Sequence, residues 1–157
     1  MQKIRVWGLI LAVALLAPSQ VPASSDSSTA IQWSTYSEAR RTSNDNRKFF
    51  IYFYSDQCTY CKLMEKKTFK DQAVVAYLNK NYLPVRVNAG QESNLASRFG
   101  IQGVPDLRFL TAEGESIARW PGFIESGPLL TLLQYISTDS YKKMNFNDFV
   151  KEHKQSQ

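Results

Sequence analysis

Cys58 and Cys61 are the only cysteines in the 157-residue chain, and two residues separate them. A C-x-x-C pair at the head of a helix suits thiol–disulfide chemistry. At a helix N-terminus the outer sulfur, Cys58, faces unpaired backbone N–H groups and the positive end of the macrodipole, both of which favour thiolate. Cys61, one turn on and on the same face, is within reach of a disulfide with it. The expected division of labour is attack by Cys58 to give a mixed disulfide, then release by the resolving thiol Cys61. Glu65 stands four residues after Cys61 and seven after Cys58, one and two turns down that face. A carboxylate there disfavours a neighbouring thiolate by like charge and can relay its proton; it can equally pair with Lys62 or Lys66.

Other chemistries are open to two sulfurs. As a structural staple the pair is weak, since closing a four-residue loop stabilises by about 2 kcal/mol against about 3 for a 15-residue loop. Two cysteines and one distant histidine, His153, cannot complete a four-ligand zinc site in one chain. Two thiolates could hold Cu(I), so a copper-carrying module stays open. Cys–His hydrolysis needs His153 to fold back onto the pair.

The pair must be presented by the elements on either side. Phe49 to Tyr54 is an unbroken apolar and aromatic run, ended by the polar turn Ser55-Asp56-Gln57. With Lys48 it predicts a central strand covered on both faces, delivering the cysteines to a helix that runs to about Phe69. Upstream, Ser34 is the expected N-cap of a helix carrying Tyr36, Ala39 and Arg40 as far as the breaker cluster Ser43 to Asn46. Downstream, Asp71 caps a helix with Val74, Val75, Leu78 and Tyr82 at 3.6-residue spacing. Leu83 to Asn88 is a strand with Pro84 at its start. Glu92 to Phe99 is a helix closed by Gly100, and Asp106 to Leu110 a strand. Thr111 to Gly114 turns into a further strand, Glu115 to Trp120, which Pro121-Gly122 ends. Pro128 opens a last core helix with Leu129, Leu132, Leu133 and Ile136 on one side. The order predicts an α/β fold with a small mixed β-sheet flanked by helices on both faces. Residues 31–137 form one domain, and 138–157 an extension whose short helix, Tyr141 to Lys154, offers Phe146, Phe149 and Val150 as apolar contacts.

The residues Tyr54, Asp56, Cys58, Cys61-Lys62, Glu65-Lys66, Thr68-Phe69, Asp71 and Val74 resemble the thioredoxin-like superfamily. The likeness points especially to the periplasmic C-terminal domain of the membrane thiol:disulfide reductase and to small periplasmic thioredoxin-like proteins. Phe99-Gly100-Ile101-x-Gly103-Val104-Pro105 matches that superfamily's cis-proline loop, and Gly122 the glycine after its last strand. The resemblance covers about Ile31 to Ile136. It implies a thioredoxin-like fold, a redox-active Cys58–Cys61 disulfide, and a cis Val104–Pro105 bond packed against the cysteines. It also implies substrate binding at Val104 and Pro105 by strand addition, and a proton-handling role for Glu65. The chain departs from the pattern in two places. Gln57 stands where a Trp usually precedes the first cysteine, and Tyr52 where many relatives carry an acid. The intervening Thr59-Tyr60 resembles the x-Tyr pairs of periplasmic isomerases and some reductant-fed proteins, and joins the expected substrate contacts.

The first 23 residues have the parts of a cleavable export signal. Lys3 and Arg5 are basic, Trp7 to Ala17 is an apolar run of 11 residues, and Val21-Pro22-Ala23 offers a cleavage site. The run is short of the ~20 residues that cross a bilayer. Residues 24–30 form a polar leader. Removing Lys3 and Arg5 from the formal net charge of +5 leaves +3, with no clustered basic stripe to suggest nucleic acid. The expected protein is a periplasmic, monomeric thiol:disulfide oxidoreductase that needs no metal or other cofactor. It reduces or exchanges disulfides in exported proteins and draws electrons from a membrane thiol:disulfide reductase. A thiol oxidase or isomerase of the same fold, and a non-catalytic binding or Cu(I)-carrying module, are the alternatives.

Overall fold

The computed structural model of the protein describes residues 29–42 and 46–155. The expected export signal and most of the expected leader therefore lie outside the described residues. The elements run α1 (Tyr36–Thr42), β1 (Lys48–Tyr54), α2 (Thr59–Lys66), a 3₁₀ turn (Thr68–Lys70), α3 (Gln72–Asn81), β2 (Tyr82–Asn88), α4 (Ser93–Arg98), β3 (Asp106–Leu110), β4 (Ser116–Pro121), α5 (Ser126–Ser137), a second 3₁₀ turn (Ser140–Lys142) and α6 (Phe146–Gln155).

The four strands lie in the order β2-β1-β3-β4, with β1 parallel to β2 and antiparallel to β3, and β3 antiparallel to β4. Side chains of β1 alternate between two cores, as a two-residue period requires. Phe50 and Tyr52 pack with Cys61 and Met64 of α2, Val74, Val75 and Leu78 of α3, and Leu129, Leu133 and Ile136 of α5. Phe49, Ile51 and Phe53 pack on the other face with Ala39 of α1 and Leu95 and Ala96 of α4. Burying each such aromatic or aliphatic side chain contributes about 1.5–3 kcal/mol. This central strand is therefore fixed in register before any polar contact is counted, and its C-terminal end is where the cysteines begin.

Four boundaries within residues 31–137 differ from expectation, each for a local reason; beyond them the extension's helix starts at Phe146, not Tyr141, which lies in the preceding 3₁₀ turn. Ser34 does not cap α1. It adds a parallel bridge to the outer edge of β2, donating from N and Oγ to the Pro84 carbonyl at 3.0 and 2.9 Å. Thr35 caps instead, in a reciprocal box: Glu38 N donates to Thr35 Oγ1, and Thr35 N donates to the Glu38 carboxylate at 2.9 Å. Pro84 is the third residue of β2, paired with Phe50. Its carbonyl points outward to Ser34, so its missing N–H also faces the edge and β1 loses nothing. Tyr82, placed on α3 by its spacing, opens β2. Finally, α2 stops at Lys66. Thr68 and Phe69 turn inward, and the Thr68 hydroxyl donates to the Ile124 carbonyl at 2.7 Å.

Asp71 caps α3 as expected, accepting from Ala73 N and Val74 N. Gly100 closes α4 with φ +61°, a left-handed conformation that side chains resist. In the C-terminal extension Phe146 and Phe149 rest on the Tyr135 ring of α5, each with centroids 5.3 Å apart. Val150 is partly buried. No helix among the described residues is long and apolar enough to cross a membrane.

Candidate functional site

Three pieces of backbone meet at the C-terminal end of β1. The first is the turn Ser55 to Cys58, which Cys58 N closes on the Ser55 carbonyl at 3.2 Å. Asn88, buried at the end of β2, braces it by donating to Asp56 at 3.2 Å, while its own oxygen accepts from Gly90 N and Gln91 N. The second is the head of α2. Cys58 is its N-cap, and the Cys58 sulfur accepts from Cys61 N at 3.0 Å. Cys58 and Cys61 are joined in a disulfide with Cα atoms 5.2 Å apart. The third is the loop before β3, where Val104–Pro105 is a cis peptide bond. The Val104 carbonyl oxygen lies 3.5 Å from Cys58 Sγ.

The two sulfurs differ sharply in access. Cys58 is half-exposed, whereas Cys61 is 1% exposed and belongs to the core. Thr59 and Tyr60 project into solvent from the first turn of α2. Tyr60, 62% exposed, is the large hydrophobic side chain left open beside the pair, with Phe123 at 6.4 Å between ring centroids.

Beneath Cys61 opens a cleft of about 280 Å³ lined by Tyr54, Asp56, Cys61, Lys62, Glu65 and Arg86. Glu65 pairs with neither Lys62 nor Lys66. Its Oε1 accepts from Arg86 Nη2 of β2 at 2.7 Å. The Arg86 guanidinium lies over the Tyr54 ring, 4.0 Å from its centroid, and Tyr54 stacks on Tyr52. The Tyr52 hydroxyl makes long contacts to the Cys61 carbonyl at 3.4 Å and to Glu65 Oε1 at 3.5 Å. Burial, with the Glu65 charge behind it, pushes the Tyr52 hydroxyl well above the usual tyrosine range. Tyr52 therefore keeps its proton and acts as a donor here.

Two site-bordering groups escaped the sequence. Asp106, next after Pro105, is fully buried and ion-paired to Arg108 at 2.6 Å and to Arg119 at 2.9 Å. The i, i+2 pair Asp106/Arg108 within a strand was a readable hint, since both fall on one face. Arg86 gave no local signal. It reaches Glu65 because parallel pairing sets it opposite Tyr52.

A mixed four-stranded sheet between two helical layers, with a helix-capping C-x-x-C disulfide beside a cis-proline, is the thioredoxin-like arrangement. The profile of the Thioredoxin-like domain matches residues 36–137, and the chain belongs to that family. It is 38% identical over 90 residues to the thiol:disulfide interchange protein DsbD of Vibrio vulnificus (strain CMCP6), a match covering 54% of this chain and 15% of that protein. Against the protein of the same name from Photorhabdus laumondii it is 31% identical over 100 residues, covering 60% and 17%. The chain thus spans under a fifth of the length of these curated relatives. Among solved structures, DsbH oxidoreductase superposes with a TM-score of 0.58 at 20% identity, over 76% of this chain and 89% of that one. A thioredoxin from Thermus thermophilus gives 0.61 at 24% identity, over 68% and 87%. At these identities the structural likeness speaks for the fold.

Proposed function

We propose that the protein is an exported thiol:disulfide oxidoreductase that reduces or exchanges disulfides in periplasmic proteins through a mixed disulfide at Cys58. The observation that carries this reading is the asymmetry of the pair. One sulfur is half-exposed at a helix N-cap and lies 3.5 Å from the Val104 carbonyl; the other is buried directly behind it. In the reduced protein the Cys58 thiolate attacks a substrate S–S bond. A Cys58–substrate disulfide forms, and the substrate's other sulfur leaves as thiolate. Cys61 then attacks Cys58 Sγ, the Cys58–Cys61 bond forms, and the second substrate sulfur leaves with the electron pair. Two electrons have passed to the substrate, and an external dithiol must return them. A membrane thiol:disulfide reductase is the proposed donor.

Thiolate formation at Cys58 is favoured by the Cys61 N–H that already points at its sulfur. Val104 lends the reading further support. Its N–H has no partner among the described residues, which leaves one backbone donor for an extended substrate segment to bind as an added strand beside Pro105. Tyr60 and Thr59 flank that segment. Cys61 is buried and lines the cleft below, so its proton leaves through that cleft, where Glu65 is a carboxylate able to receive it.

The test uses the full chain expressed with its N-terminal segment. Cys61→Ser should accumulate covalent adducts with periplasmic proteins that dithiothreitol releases, and Cys58→Ser should abolish both adducts and insulin reduction. Insulin reduction that survives Cys58→Ser would overturn the reading.

A further inference from the structure

The Glu65–Arg86 pair is built in a way that a surface ion pair does not require. Arg86 comes from the edge strand β2 and is fixed by register beside Tyr52. Its guanidinium is held flat over the Tyr54 ring, and Nη2 reaches Glu65 Oε1. Its Nε is buried and has no hydrogen-bond partner among the described residues. A buried donor without an acceptor costs free energy, so the arginine's position is set by the stack and the single carboxylate. Both side chains line the cleft that holds the buried sulfur.

Resting on the redox reading above, we propose that Arg86 is a positioning residue that sets the redox poise of the disulfide through Glu65. A bare carboxylate beside Cys61 opposes thiolate there, and at a pH where Cys61 ionises, opposing thiolate destabilises the reduced protein. The Arg86 cation pins that carboxylate and cancels most of its charge as felt at Cys61. The other titratable groups lining the cleft are Tyr54 from β1, Asp56 from the turn and Lys62 from α2, while the Tyr52 hydroxyl meets Glu65 from the neighbouring hollow. Lys70 of the 3₁₀ turn borders the neighbouring hollow that Glu65 and Arg86 share with Trp33. Tyr52 stays protonated, and Asp56 is engaged by Asn88. Removing either partner of the 2.7 Å pair should therefore move the poise, and in opposite directions.

The experiment is an equilibrium titration of the Cys58–Cys61 pair against glutathione, carried from neutral pH to the alkaline side of Cys61 ionisation, in the native chain and in Arg86→Gln, Arg86→Lys, Glu65→Gln and the double variant. It is paired with the pH profile of Cys61 alkylation in a Cys58→Ser background. On the alkaline side Arg86→Gln should favour the disulfide form about three- to tenfold, a potential about 15–30 mV more negative at 29.6 mV per decade. It should also move Cys61 alkylation to higher pH. Glu65→Gln should do the reverse, the double variant should fall within about twofold of native, and Arg86→Lys should restore most of the poise. A structural brace would lower the thermal midpoint in Arg86→Gln and leave both the glutathione equilibrium and the alkylation profile in place; that result overturns the proposal. A native disulfide that never equilibrates with glutathione would instead overturn the exchange reading itself.

Discussion

Tyr60 illustrates how little of the site depends on stability. At 62% exposed, its ring touches the rest of the protein mainly through Phe123, so little is lost to the fold when it is removed. A protein substrate held against Val104 would meet this ring first. An aromatic contact contributes about 0.5–1.5 kcal/mol beyond area burial. Tyr60→Ser should accordingly raise KM for a protein disulfide about two- to tenfold while leaving the thermal midpoint within about 2 °C. A KM that stays flat would remove Tyr60 from the substrate surface. At this scale the placement of the cysteines and Glu65 on one helix was legible from residue type and spacing, and the cis bond before Pro105 from the motif shared with the family. Arg86 was not, because its partner lies 21 residues away and only strand register joins them. Thr35-x-x-Glu38 was legible and passed over in favour of Ser34, whose hydrogen bonds belong to the sheet.

Between elements, the loop that carries Val104 is tied down from behind. Asp106 begins β3 with its carboxylate wholly buried, held by Arg108 from its own strand and Arg119 from β4, while Gly122 N donates to the Pro105 carbonyl at 2.8 Å. Gly122 adopts φ +90°, which side chains resist, so the return of the chain to Pro105 depends on this glycine. Breaking a buried ion pair costs about 3–5 kcal/mol because the remaining charge is stranded. Arg119 is 43% exposed and can rehydrate, which brings Asp106→Ala below that range, to about 2–3 kcal/mol. A urea titration should show that loss, with slower insulin reduction at equal folded fraction as the loop relaxes away from Cys58. An unchanged urea midpoint would mean that the arginines find water at no cost. Strands were readable here from apolar runs bounded by turn residues, and helices from their 3.6-residue spacing and caps. The helix end at Lys66 was not, since Thr68 leaves the helix for a carbonyl 56 residues on.

For the molecule as a whole, the open question is what α6 contributes, since it lies beyond the residues that match the family. The helix is capped by Asn145, whose side-chain oxygen accepts from Asp148 N at 3.0 Å. Its apolar side grips α5 and β4 through a small aromatic set. Phe146 and Phe149 lie against Tyr135, Phe146 also meets Trp120, and the Tyr135 hydroxyl donates to the Met144 carbonyl at 2.6 Å. Two partly buried phenylalanines and one hydrogen bond together suggest about 2–4 kcal/mol. Ending the chain at Lys143 should lower urea stability by that amount. It should also uncover Trp120 and Tyr135 as an apolar patch that binds a hydrophobic dye. The groups around the sulfurs come from β1, α2, β2 and the Val104 loop, so the shortened chain should keep its glutathione equilibrium within about twofold. A shortened chain that stays as stable as the full one would make α6 a passenger on the fold. One that folds but loses its redox equilibrium would mean that α6 supports the Trp120–Gly122 segment, and through it the Val104–Pro105 bond whose Val104 carbonyl lies beside Cys58.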